Sequence, residues 1–366
     1  MPAGLLRAVA LQGRPPGGGD PRRRARRRGC WSRRWSWGTS APEEAAVAAA
    51  DQDPGGTRDA AGSPAGSAAG DFPTLLPPER VAEAEATYQR VVQEFTLEFR
   101  LANALAYLRT YASPRVAALL LHTGHVQHAS TERAVDTALF VYELVHHGID
   151  SEQGQEVVRR LNAMHGRWSI RNDDSLWVLG TFAVLGPQMI DALGWRRLTD
   201  DERQACVDWW REVGTRMGIT GIPETHAEFA DAFRAYELAH LRRTDAGRVL
   251  LEASWDVMVS DLPEPLRPVS RLLAAALTDE PARSALGLPR VGAPVRTALR
   301  LGLVTRGLLS PTRGRPVPGW FTPGAPLGPY PEGYSLADLG VGEHHRHPAV
   351  VRVVQEGRQV RARRPV

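Results

Sequence analysis

Apolar side chains recur along this chain at intervals of three and four residues, the spacing that lines one face of an α-helix. The two-residue alternation of a half-buried strand is scarce. The periodic region opens at Pro77-Pro78-Glu79, where proline suits a first helical turn. A long helix is predicted near residues 81–110, and Pro114 starts another through Val116, Leu119 and Leu120 to Val126. Ser130 or Thr131 caps a third, ending near Gly148. Asp150 with Gln153 makes a capping-box-like start for a fourth, which runs through His165. Asp173 or Asp174 caps a fifth, interrupted by Pro187. Thr199 with Glu202 and Thr225 with Glu228 are two further capping boxes. The first opens a helix through Cys206, Trp209, Trp210, Val213 and Met217 that Gly218 stops; the second opens one through Phe229, Phe233, Tyr236 and His240. Helices also fit 245–259, 265–277 and 293–309.

The pattern predicts an all-α fold with one large helical domain over residues 72–340. Residues 1–71 are Pro, Gly, Arg, Ala and Ser with few branched aliphatics, a composition that cannot offset its ordering entropy, and they are read as a disordered tail. Seven of the 28 prolines fall in 311–331, which reads as an extended strap over the surface, and residues 341–366 read as a loose C-terminal tail.

Charge sharpens this division. All 45 basic residues are arginine, and the net charge is +4. Residues 1–40 carry ten arginines and one aspartate, which leaves −5 on the remainder. The domain is therefore mildly acidic, and nucleic-acid binding is not expected of it. Only the stretch Arg22–Trp37, with its three tryptophans, suits RNA or an acidic membrane surface, and a solvated tail has the same composition. Two cysteines, Cys30 and Cys206, exclude a disulfide framework. The most apolar run, Trp177 to Ile190, is too short to span a bilayer and carries Pro187. The paired arginines near the N-terminus precede no apolar run, so export is rejected and a cytoplasmic location is expected. The oligomeric state is left open.

Candidate chemistry concentrates in two segments. Val158, Leu161, His165 and Trp168 follow i, i+3, i+7, i+10 spacing, which places one imidazole on an apolar face. A buried neutral imidazole takes either a hydrogen-bonding partner, as a plain core histidine does, or a metal. Arg133, Asp136, Thr137 and Phe140 follow i, i+3, i+4, i+7 spacing. Arg133 offers a planar fork of donors for an anionic group, while Asp136 suits either orienting a ligand histidine or a simple pair with Arg133. Asn172, Asp173 and Asp174 form either a polar wall or a helix cap, the cap being preferred for at least one of them. His122, His125 and His128 recur every three residues without a carboxylate or cysteine at ligand spacing, and His344, His345 and His347 fall in the C-terminal tail. Gly214 inside a helix signals close helix–helix approach. Several enzyme classes lack their motifs: no P-loop (there is no lysine), no Gly-x-Ser-x-Gly, no His-Glu-x-x-His and no Cys-x-x-Cys.

The run Arg133-x-x-x-Thr137, then Asn162-x-x-His165-x-x-Trp168-x-Ile170-x-Asn172-Asp173-Asp174-x-Leu176, resembles the MpaB oxygenase / latex-clearing protein (rubber oxygenase) family. So do Gly194-Trp195-Arg196-Arg197-Leu198-Thr199-x-x-Glu202-Arg203, Val213-Gly214-x-x-Met217-Gly218-Ile219, Ile222-Pro223, Tyr236-Glu237 and, more loosely, Tyr330-Pro331-x-Gly333-Tyr334. The resemblance covers about residues 90–340. It implies a globin-like helical domain binding one b-type haem and cleaving carbon–carbon double bonds of isoprenoid chains with dioxygen. His165 then matches the iron ligand, and Arg133 and Thr137 match pocket residues across from it. Asp136 stands where the rubber-cleaving branch has lysine, and Val116 to Leu120 offers none of that branch's glutamate.

The expected function is a haem b-dependent oxygenase acting on a hydrophobic, alkene-bearing small molecule with dioxygen. His165 holds the iron, Arg133 secures a propionate or polarises bound oxygen, Asp136 and Thr137 supply distal hydrogen bonding or proton delivery, and Trp168 with Phe140, Trp177 and Phe182 walls an apolar channel. The alternatives are a haem- or lipid-binding helical protein without turnover, and a helical interaction protein acting through its Arg/Trp tail.

Overall fold

A computed structural model describes residues 72–340, apart from positions 261, 312, 316 and 318. The tails expected at 1–71 and 341–366, with Cys30 and His344, His345 and His347, lie outside the described residues. The described chain is all-helical: among those residues there is no strand, only an isolated bridge between Leu327 and Tyr330 in a turn.

The first predicted helix is two. Helix α1 (Pro78–Glu94) and helix α2 (Thr96–Arg109) meet at Phe95, whose backbone leaves the helical region. Thr96 explains the break: its hydroxyl donates to the carbonyl oxygens of Val92 (3.1 Å) and Gln93 (3.0 Å), competing with the helix's own bonds. The bend inserts the fully buried Phe95 ring beside Trp195. Helix α3 (Pro114–Thr123) stops at Gly124, which is left-handed (φ 72°), and a single turn, α4 (His125–His128), follows. That break destroys the helical register assumed for His122, His125 and His128. Among the described residues no three His, Cys, Asp or Glu side chains gather as a metal site.

Helix α5 (Ser130–His147) ends at Gly148, as the pattern predicts, though no side chain caps its start. Helix α6 (Glu152–His165) begins one residue later than expected, because Ser151 is its cap, accepting the Gly154 N–H at 2.9 Å. Helices α7 (Asn172–Ala183) and α8 (Leu185–Leu193) are parted at Val184, since Pro187 has no N–H to give the preceding turn. Helix α9 (Asp200–Arg216) and helix α10 (His226–His240) both open with complete capping boxes, at Thr199/Glu202 and Thr225/Glu228. Helices α11 (Asp245–Val259), α12 (Ser270–Leu277), the short α13 (Glu280–Ala285) and α14 (Ala293–Leu309) complete the order.

Helices α1 and α9 lie side by side, α2 packs on α8, α3 on α11, and α5 on α6. Aromatic rings lock the first pair: Tyr88 stacks on Trp209 at 4.4 Å, and Trp210 Nε1 donates to Tyr88 Oη at 2.9 Å. Gly214 permits the predicted close approach, for a Cβ there would lie 2.5 Å from Leu179 Cδ2 of α7. Trp320 and Phe321 of the predicted strap are buried, both rings against Tyr142 of α5. One stretch, Asn172–Leu193, is long and apolar enough to cross a membrane, but it is the broken pair α7–α8 and most of it is buried against other helices.

A candidate pocket between the fifth and sixth helices

Helix α5 is the central helix of the described chain. From Ala134 to Val145 every residue is buried except Thr137. Thr137 is thus the one partly exposed position in an otherwise buried stretch of the helix. Arg133, one turn earlier, is half-buried on the same side, and its guanidinium donates to the Thr137 hydroxyl. That hydroxyl in turn donates to the Arg133 carbonyl oxygen at 2.8 Å. Among the described residues Arg133 has no carboxylate partner, so the simple pair with Asp136 that the spacing allowed does not form.

His165 ends helix α6, which packs on α5. Against the expectation of a buried imidazole on an apolar face, His165 is exposed at the helix end; protein packed around the ring, and then the Arg133 charge, nonetheless pull its pKa down to about 4. It is therefore neutral at neutral pH, the form able to bind a metal. Among the described residues nothing hydrogen-bonds either ring nitrogen, so the alternative of a core histidine satisfied by a carbonyl is not what the structure builds.

Asp136 departs from expectation. It is buried and its carboxylate turns to the C-terminal strap, accepting from Tyr330 Oη (2.5 Å) and from the Gly340 N–H (2.9 Å). Asp136 therefore anchors the strap, in place of the distal hydrogen bonding expected of it. Gly340 has to be glycine: its φ is 85°, and a Cβ would lie 2.5 Å from Met164 Sδ, one residue before the candidate ligand. Trp168 also departs. The helix stops at His165, and the Trp168 ring meets His122 edge-on at 5.8 Å. Nor do the expected wall aromatics converge. Trp177 stacks on Tyr236 (4.9 Å), Phe182 stacks on Trp210 (4.6 Å), and Phe140 is buried in α5.

Asn172, Asp173 and Asp174 are neither a wall nor a side-chain cap. Asn172 pins the turn after α9, with its amide bonded to both the N–H and the carbonyl of Thr220 at 2.9 Å. Arg115 of α3 grips Asp173 and Asp174 (2.6 and 2.7 Å), and Tyr236 Oη donates to Asp174. Sequence reasoning missed the buried Arg109, which binds Glu237 of α10 (2.7 Å) and Asp279, while Trp177 Nε1 donates to Glu237 (3.2 Å). It also missed Glu143 of α5, buried between the Tyr334 hydroxyl and His147 Nε2 (3.1 Å). No local pattern flags the links of Arg109 to Glu237 and Asp279 or of Glu143 to Tyr334, because those partners lie on distant segments.

The profile of the family described as ER-bound oxygenase mpaB/B'/Rubber oxygenase, catalytic domain, matches residues 89–309. The chain belongs to this family. The match spans α5 and α6, and it places the chain in a family of oxygenases. The chain is 27% identical to the ER-bound oxygenase mpaB of Penicillium roqueforti over 236 residues, 59% of this chain and 79% of the relative. It is 26% identical to the ER-bound oxygenase mpaB' of Penicillium brevicompactum over 211 residues, 53% of this chain and half of that one. With the ER-bound oxygenase mpaB of Penicillium brevicompactum it shares 30% identity over 152 residues, 39% of each.

Proposed function

We propose that this mpaB/rubber-oxygenase family member holds one b-type haem between α5 and α6, with His165 as its iron ligand, and oxidises a hydrophobic, alkene-bearing substrate of isoprenoid type. The observation that supports the reading is a neutral imidazole, with no hydrogen-bond partner among the described residues, lying within electrostatic reach of an arginine that has no carboxylate partner among them. Those are the two groups a haem requires of a protein: an iron ligand and a counter-charge for a propionate.

Bound there, haem supplies the redox chemistry toward dioxygen that no side chain of this family member can supply. The chain's own residues do the rest. Burial and Arg133 keep His165 unprotonated, so that its nitrogen lone pair is available at any pH above about 4. Thr137 holds the Arg133 fork, which would offer its donors to a haem propionate. The strap, tied to Asp136 through Tyr330 and Gly340, closes over the same pair of helices and keeps water from that side.

A second reading, haem or lipid binding without turnover, is favoured by one observation: the Asp136 carboxylate is taken up by Tyr330 and the Gly340 N–H of the strap. Aerobic incubation of reduced, haem-loaded protein with a carotenoid or squalene separates the two. Carbonyl products establish the oxygenase, and intact substrate with a normal haem spectrum leaves the binding protein.

A further inference from the structure

Helix α14 (Ala293–Leu309) is apolar on two sides and packed on one. Its inner side holds Leu303, which packs on the cluster formed by α2 and α8, and Gly307, its only fully buried residue, against Trp195. At 100° per residue Leu301 and Leu308 point the opposite way, one above the other. They are 59% and 44% exposed, and Leu309 at the helix end is 78% exposed. A helix on the surface of a protein ordinarily turns a polar side outward. Here Ala298, Leu301, Thr305 and Leu308 face outward, with no charge among them.

The charges sit beside the stripe, and they are of one sign. From residue 281 to residue 331 the chain has seven arginines and no acidic residue, although the sequence beyond residue 40 is net negative. Arg300 and Arg306 stand on either side of the stripe on α14 itself, while Arg296, seven residues before Leu303, lies on the inner side. Arg306 reaches Glu98 at 3.8 Å, whereas Arg300 is exposed and has no acidic partner among the described residues. An aliphatic stripe bordered by long cationic side chains is the pattern of a helix lying in a bilayer interface, where leucines enter the acyl boundary and arginines reach phosphate. A second copy of the same surface would bring arginines against arginines. RNA would find no aromatic ring on this helix to stack upon.

We propose that α14 is a docking surface for an anionic lipid bilayer, with Leu301 and Leu308 inserting and Arg300 binding headgroups. The test is flotation of the full chain with vesicles of phosphatidylcholine alone and with about one third phosphatidylserine, at low and high salt. The wild type is expected to float with the anionic vesicles only, less so at high salt. L301Q/L308Q, which keeps every arginine and alters only exposed side chains, is expected to lose at least tenfold in partitioning with an unchanged circular-dichroism melt. R300Q is expected to weaken binding to the anionic vesicles. Hydrogen exchange of the unmodified chain gives the same answer without a mutation, as vesicle-induced protection over 293–309. Absence of wild-type flotation overturns the proposal. So does flotation unaltered in L301Q/L308Q, which would move binding to another part of the chain, or a dimer that these substitutions abolish.

Discussion

The imidazole of His165 gives up its proton because the surrounding protein strips away its hydration and Arg133 repels a second positive charge. The sign of the resulting pH effect is fixed. An unfolded histidine titrates near 6.5 and the folded one near 4, so between these values the unfolded chain binds the extra proton. Stability is full above roughly pH 6.5 and falls as the pH drops through the window to about 4. His165→Gln is expected to flatten this part of the profile, which urea titrations at pH 7, 6 and 5 would reveal; an unchanged slope would place the ring in ordinary solvent. Arg133 has the complementary test. Arg133→Met removes the only charge named beside the ring, so His165 should titrate higher, as followed by the NMR shift of its ring proton.

At the scale of the helix, the weak points are where backbones touch. Gly154 lets α6 cross the chain at Gly148: a Cβ there would lie 1.9 Å from the Gly148 carbonyl oxygen. Gly214 meets only side-chain ends, those of Leu179 and Ile222. Gly154→Ala is therefore expected to destabilise by about 2–3 kcal/mol and Gly214→Ala by about 1 kcal/mol, measured by denaturant unfolding. Thr199→Ala, which removes the cap of α9, should cost about 1 kcal/mol. These contrasts also explain which elements could be read from sequence. The helices opened by Thr199 and Thr225 were legible to the residue, because both partners of each box lie within four positions. The break at Phe95 was not, since neither Gly nor Pro marks it and the cause is a threonine hydroxyl turned back on its own helix. The grouping of His122 with His125 failed because Gly124 intervenes and takes a left-handed conformation.

On the scale of the whole molecule, the strap decides what the sequence could and could not say about the site. Helical spacing put Arg133 and Thr137 on one side of α5, where they are bonded, and set His165 at the end of α6. The role of Asp136 was hidden, for its partners Tyr330 and Gly340 lie about 200 residues away and spacing carries no information at that range. Tyr334 to Glu143 and Arg109 to Glu237 were hidden for the same reason. The strap is therefore an integral wall of this family member's domain. Asp136→Ala leaves a tyrosine hydroxyl and a backbone N–H without their acceptor. It should cost about 2 kcal/mol and open the chain near residue 330 to limited proteolysis. Helix α14 stands apart from this economy, with an outer side that no other part of the described chain covers.

The central claim is that His165 holds haem iron between α5 and α6. The most direct measurement is the absorption spectrum of protein purified after expression with ample haem, alongside His165→Ala. A Soret band in the wild type that disappears in a folded His165→Ala variant is the predicted result. A colourless wild type, or a Soret band equally strong in the variant, would contradict the assignment.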